Sequence, residues 1–190
     1  VATDTDQERL KSLKNKVEDF ASGRVRYALA STLEQDEQFD YIVIMAPIAT
    51  LVKEAVHRAR PRAIINLFAG IPIGTYIELD LDKVIREQIF LFGTSGSEPN
   101  DMRLVLEKVL NGQLNTNLSV AAVSGMAGAL DGLSAVDNRT LDGKIVVYPN
   151  LIEIPLIPLN QMQAFYPQVA AKLDRGRWTK EAEDEFLKLA

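Results

Sequence analysis

Asp4 ends a short extended run, Val-Ala-Thr-Asp, and residues spaced for a helix follow it at once. An acid at the carboxyl end of a strand, just ahead of a helix, is placed to accept both hydroxyl protons of an adenosine ribose. The same carboxylate repels a 2′-phosphate, which reads as a choice of NAD over NADP. Arg9 lies about one helical turn further on, where its guanidinium reaches toward the ribose edge. A plainer reading stays open: Asp4 or Asp6 only caps the helix, as acids in that position often do.

Three later strand-like runs end in small or bendable residues: Ala46-Pro47, Phe68-Ala69-Gly70 and Gly93-Thr94-Ser95. Ligands of open α/β sheets bind in the crevice outside the strands' carboxyl ends, and small side chains there admit a flat ring and its amide. Turn chemistry accounts for any one of these endings; their repetition at three successive strands is the informative feature. Ser124-Gly125-Met126-Ala127-Gly128 imitates a phosphate-binding glycine loop. It carries only Gly-x-x-Gly, and the next strand ends in Tyr148-Pro149-Asn150 with no acid. Gly125, Gly128 and Gly132 are therefore expected to permit close packing. His57, the single histidine, falls on a crossover helix away from any strand end, so a surface position is expected. Asp80 and Asp82 flank the apolar Leu81 and have no nitrogen or sulfur partners for a metal. The chain is expected to carry no catalytic residue and no metal ligands.

The elements that must position these residues alternate between strand-like and helix-like patterns, which predicts an α/β fold with a parallel sheet and flanking helices. Val1 to Asp4 predicts a strand, and Leu10, Leu13, Val17 and Phe20 the buried face of a helix that stops at Gly23. Val25 to Ala30 predicts the next strand. Tyr41 to Met45 is apolar throughout, as for a strand buried on both faces. Leu51, Val52, Ala55, Val56 and Ala59 recur at helical spacing before Pro61. Ala63 to Phe68 and Ile89 to Phe92 predict further strands, Pro99 to Leu110 a helix, Ala121 to Val136 one helix or two short ones, and Gly143 to Tyr148 a last strand. Pro149, Pro155, Pro158 and Pro167 forbid one long element in the tail, and Thr179-Lys-Glu-Ala-Glu predicts an N-capped terminal helix.

Composition narrows the class. With 190 residues the chain suffices for one domain or one with an appendage, and a net charge of −5 with no basic face disfavours nucleic acid as a partner. The absence of cysteine removes disulfides and thiolate ligands and agrees with the reducing cytosol expected here. No apolar run approaches the roughly 20 residues of a membrane span, so no membrane partner is expected. The chain opens within a strand, which points to a sheet that begins upstream of Val1.

Three segments in order resemble the coenzyme domain of medium-chain, zinc-dependent alcohol and polyol dehydrogenases. Val-Ala-Thr-Asp-x-Asp-x-x-Arg-Leu resembles its second strand and helix. Ile-Asn-Leu-Phe-Ala-Gly-Ile with Leu-Phe-Gly-Thr-Ser-Gly resembles its last two strands, and Leu-Asp-Gly-Lys-Ile-Val-Val-Tyr-Pro the return strand near the family's C-terminus. The tail looks most like the sorbitol and sorbose-phosphate branch. The resemblance implies residues 1–150 as a partial Rossmann-type dinucleotide-binding domain incomplete at its N-terminus, and 151–190 as an extension packed on it or on a catalytic domain. It implies hydride transfer between an alcohol, polyol or sugar (or sugar phosphate) and NAD, with zinc held in that catalytic domain outside this chain. Asp4 and Arg9 would hold the ribose, and backbone around Phe68 to Gly70 and Phe92 to Thr94 the nicotinamide amide. Val147 stands where some members carry a pyrophosphate-binding arginine. A homodimer is expected through a sheet edge near Tyr76 to Leu79 or Ile89 to Phe92. Two further readings are a noncatalytic nucleotide-sensing module that gates a partner, and a scaffold that only oligomerises.

Overall fold

A computed structural model describes every residue except Ser22, Thr94, Ser95 and Ala190. The chain forms two compact units, Val1–Ser31 with Glu107–Ala190, and Thr32–Leu106.

The first unit opens with β1 (Ala2–Asp4), α1 (Gln7–Ala21) and β2 (Tyr27–Leu29). β1 and β2 pair in parallel, Asp4 opposite Leu29. α1 starts where Asp6 Oδ1 accepts the backbone N–H groups of Glu8 and Arg9, at 2.8 and 3.3 Å. Beyond it Gly23 takes φ +70°, the left-handed position that ends many helices.

The second unit is a three-stranded parallel sheet, β3 (Phe39–Ile44), β4 (Ala59–Leu67) and β5 (Phe90–Gly93), in that spatial order. α2 (Ala49–Arg58) joins β3 to β4, and α3 (Leu81–Arg86) precedes β5. Val52, Ala55 and Val56 of α2 bury against Ile44, Ala63 and Ile65, with Val84 of α3 packed on the same cluster. Ala59 opens β4 instead of closing the helix, and Pro61 lies inside the strand. The strand absorbs it as an irregularity: Arg62 takes φ +67°, its N–H turns to Glu87 O at 2.7 Å, and the register with β3 shifts between Phe39 and Tyr41.

Burial on both faces, expected for Tyr41 to Met45, does not hold. Tyr41, Ile64 and Phe90 lie side by side in register and are 56 %, 42 % and 69 % exposed. The helices of this unit, α2 and α3, both pack on the cluster of Ile44, Ala63 and Ile65, which leaves the opposite face of the sheet bare. Tyr76 to Leu79, expected as an edge, forms no strand; the sheet's edges are β3 and β5.

α4 (Pro99–Leu110) leads back to the first unit and β6 (Val120–Ser124), α5 (Ala129–Asp137), β7 (Lys144–Val147) and β8 (Ile157–Pro158). β6 is the central strand, parallel to β7 and antiparallel to β8. The helix expected from Ala121 therefore begins only at Ala129. The tail adds α6 (Met162–Phe165), α7 (Pro167–Ala170) and α8 (Lys180–Phe186), the last capped by Thr179 Oγ1 accepting from Ala182 N at 3.0 Å. Val120 and Val123 share one core with Leu151, Ile157, Met162, Val169, Trp178 and Phe186. The tail is thus part of this unit's interior.

Tyr148 locks the tail in place. Its hydroxyl donates to Glu183 at 2.7 Å, and its ring meets Phe186 edge-on at 5.4 Å. Burial, and then the Glu183 carboxylate, push the phenol above its ordinary value of 10.0. A phenol raised in the folded state contributes stability that is present below its unfolded pKa and is lost as pH climbs above it. Tyr148→Phe is expected to cost about 1 kcal/mol at neutral pH and to flatten the loss of stability above about pH 10. Urea unfolding across pH 8 to 11 (roughly the phenol range) checks both effects.

Candidate functional site

Parallel pairing sets the positions of the strand ends. In the second unit Ile44, Leu67 and Gly93 stand side by side in register, so the three carboxyl ends meet at one side of the sheet. Ala69 N donates to Ile44 O at 2.9 Å and carries the pairing of β3 and β4 one step further. Ala46 and Pro47 follow β3, Phe68, Ala69 and Gly70 follow β4, and Phe92 and Gly93 end β5. These seven residues are brought together; Thr94 lies outside the described residues.

The two glycines differ in what demands them. A Cβ on Gly93 would stand 2.8 Å from Leu67 O, so the close approach of β5 to β4 already requires glycine there. A Cβ on Gly70 would meet nothing within 4 Å, so packing does not require glycine there. Phe68 presents an exposed ring beside it.

Asp4 and Arg9 belong to the first unit. Asp4 Oδ1 accepts from Asp6 N at 2.9 Å, which fixes the carboxylate at the mouth of β1. Oδ2 has no protein donor among the described residues. Capping falls to Asp6, while Asp4 accepts from the backbone just ahead of the helix. Arg9, half-buried, faces Asp142 at 3.6 Å and Asp6 at 3.9 Å. Both spacings are long for ion pairs, which leaves guanidinium donors for a further acceptor.

His57 is exposed in the last turn of α2, and Asp80 caps α3 by accepting from Lys83 N at 2.9 Å. No group of three or more His, Cys, Asp or Glu side chains arranged for a metal occurs among the described residues.

The glycine loop after β6 has a different occupation. Its backbone N–H groups donate to the tail: Gly125 to Ile154 O at 3.0 Å, Met126 to Leu151 O at 3.2 Å, Ala127 to Ile152 O at 2.9 Å. A phosphate would have to displace all three bonds. A Cβ on Gly125 would fall 1.6 Å from Leu151 O, and one on Gly128 2.0 Å from Leu156 N. Close packing was anticipated from the sequence; that the neighbour is the backbone of the tail was not, because tail and loop come together only through β8.

No protein-family model matches the chain. It is 24 % identical over 168 residues to a mannitol-1-phosphate 5-dehydrogenase from Aliivibrio fischeri, a match spanning 82 % of this chain and 38 % of that protein. Among solved structures it resembles a short chain alcohol dehydrogenase from Escherichia coli complexed with NADH, with TM-score 0.62 and 18 % identity over 76 % of this chain and 43 % of the other. An L-idonate 5-dehydrogenase from Escherichia coli gives TM-score 0.61 at 16 % identity, and a benzyl alcohol dehydrogenase from Acinetobacter calcoaceticus 0.59 at 17 %, each covered over 41 % of its length. These likenesses establish the α/β, Rossmann-type fold. The chain spans about two fifths of the proteins it matches.

Gly125→Ala is expected to destabilise the chain by more than about 3 kcal/mol, since backbone would have to move to admit the methyl group. In Gly132→Ala the new Cβ meets Ile145 at an ordinary 3.4 Å, and a change within about 1 kcal/mol is expected. Denaturant midpoints of the two variants check the contrast.

Proposed function

We propose that this chain supplies the coenzyme-binding part of an NAD-dependent oxidoreductase, which moves hydride between NAD and an alcohol, polyol or sugar (or its phosphate). The observation that carries this reading is the free Asp4 oxygen at the end of a parallel strand that begins a helix crossover. The pairings β2 with β1, and β3 with β4 with β5, are the neighbour pairs 3-2 and 4-5-6 of a Rossmann sheet. The similarity to a mannitol-1-phosphate dehydrogenase and the likeness to an alcohol dehydrogenase holding NADH support the same reading.

The residues present suit the coenzyme. Asp4 would accept from the adenosine ribose, with Arg9 at its edge. The backbone at Phe68 to Gly70 and at Phe92 to Thr94 would take the nicotinamide amide, with Ala46 and Pro47 leaving room for the ring. The bound coenzyme supplies the hydride acceptor; this chain's residues bind and orient it. Zinc does not fit: the sequence has no cysteine and one histidine, and that histidine is an exposed helix residue. We assign metal and alcohol substrate to parts of the protein outside this chain, and expect the chain alone to turn over no substrate.

We place the protein in the cytosol and assign it a homodimer, not a nucleic-acid or membrane partner. Among the described residues no helix is long and apolar enough to cross a membrane. β5 is an edge of its sheet, with Phe90 and Phe92 exposed along it, and an apolar edge invites pairing with a second copy. Light scattering at micromolar concentration is expected to return twice the chain mass, and Phe90→Lys the single mass; a monomer before substitution would count against the edge pairing.

Asp4→Ser in the whole protein tests the coenzyme assignment. Removing the carboxylate takes away the ribose acceptor and the repulsion of a 2′-phosphate. The preference for NAD over NADP is expected to fall by roughly tenfold or more, on the scale of about 1.4 kcal/mol. An unchanged ratio of kcat/KM values would remove Asp4 from the site.

A further inference from the structure

Arg9 and Lys16 stand seven residues apart on α1, two turns along one face of the helix. Both reach the same residue. Arg9 Nε lies 3.6 Å from Asp142 Oδ1, and Lys16 Nζ donates to the Asp142 backbone carbonyl. Asp142 belongs to the turn ahead of β7, which has a fixed position in the first unit. Lys144 pairs with Val120 in the sheet, and a Cβ on Gly143 would stand 2.5 Å from Ser119 O. Two cations of α1 are therefore tied to a turn that the sheet holds in place, and the carboxylate of that turn is directed to Arg9.

The charges around Arg9 are unequal. Asp6 Oδ2 lies 3.9 Å from the same Nε, while its Oδ1 caps the helix, and Asp4 accepts from Asp6 N just upstream. One guanidinium thus faces two carboxylates, with a third close by. Its charge is balanced, yet its hydrogen-bonding capacity is not used up, because the side chain makes no hydrogen bond to protein among the described residues. A guanidinium in that state can still donate to a neutral hydroxyl and is a poor counter-ion for a phosphate. In dinucleotide-binding sheets a nearby arginine accommodates the 2′-phosphate of NADP. Here the arginine nearest the strand-end acid is already engaged by Asp142.

We infer that Asp142 is a positioning residue for the coenzyme: it holds Arg9 for the adenosine ribose and, by balancing its charge, denies a 2′-phosphate its counter-ion. The inference rests on the coenzyme reading of Asp4 and Arg9. It adds to that reading a residue from the far side of the sequence, which acts through Arg9 where Asp4 acts on the ribose directly.

Fluorescence titration of the whole protein with NADH and NADPH tests the assignment, since the ratio of the two dissociation constants requires no substrate. Asp142→Asn keeps the backbone carbonyl that Lys16 uses and removes only the charge. The preference for NADH is expected to fall roughly threefold, the scale of a half-exposed ion pair, mainly through tighter binding of NADPH. In an Arg9→Gln background the same substitution is expected to leave the ratio unchanged, a coupling that a loss of packing would not produce. Asp142→Glu, which keeps the charge, is expected to keep the parental ratio. Unchanged thermal melting shows that each variant is folded, and Asp142→Ser serves in place of one that is not. A parental ratio in folded Asp142→Asn, or a shift that persists without Arg9, would overturn the inference. Asp4→Ser separates that failure from failure of the coenzyme reading. If Asp4→Ser lowers the preference and Asp142→Asn does not, Asp142 alone loses its role; if neither lowers it, the coenzyme reading falls and this inference with it.

Discussion

Parallel strands cannot be joined by a tight turn, so each connection must cross back over the sheet before the next strand starts in the same direction. In the second unit that requirement sends α2 across one face between β3 and β4. Burying Val52 and Val56 on Ile44 and Ile65 then holds the sheet together. It also gathers the carboxyl ends of β3, β4 and β5 on one side. The β1–α1–β2 crossover repeats the arrangement in the first unit and leaves Asp4 at its strand's end, with one oxygen tied to Asp6 and the other open. The candidate site follows from strand direction before any individual side chain is considered.

The tail is governed by a different constraint, the approach of two backbones. Gly125 and Gly128 let residues 151–156 come close enough to take three amide hydrogen bonds from the loop after β6. That contact brings Ile157 against β6 and lets Trp178, Phe186 and Tyr148 close the core. A loop that looks suited to a phosphate is spent on its own chain, because buried amides must be satisfied by something. Its glycines have a packing reason at each of the two positions.

Much of this was legible in the residues. The helical spacing of Leu10, Leu13 and Val17, the stop at Gly23 and the Thr179 cap have local causes that survive folding. β6 was not legible: Val-Ala-Ala-Val-Ser is short, apolar and rich in alanine, and periodicity cannot separate a buried strand of that length from a helix. Its identity comes from β7 and β8 on either side of it. The six-residue α3 is too short to show a period, and Asp80 is its one local signal. The exposed face of β3, β4 and β5 could not be foreseen from apolar content, since what covers a sheet is decided by its connections. Asp4 was readable as an acid at a strand end, whereas the division of labour between Asp4 and Asp6 needed the hydrogen bonds.

The central claim is that the coenzyme is held at strand carboxyl ends and not at the glycine loop, and amide chemical-shift mapping with millimolar NAD tests it most directly. The account predicts shifts at Thr3 to Arg9, at Ala46, at Phe68 to Gly70 and at Phe92 and Gly93, with Gly125 to Gly128 unmoved. Shifts centred on Gly125 to Gly128, with Asp4 and Gly70 silent, would contradict it.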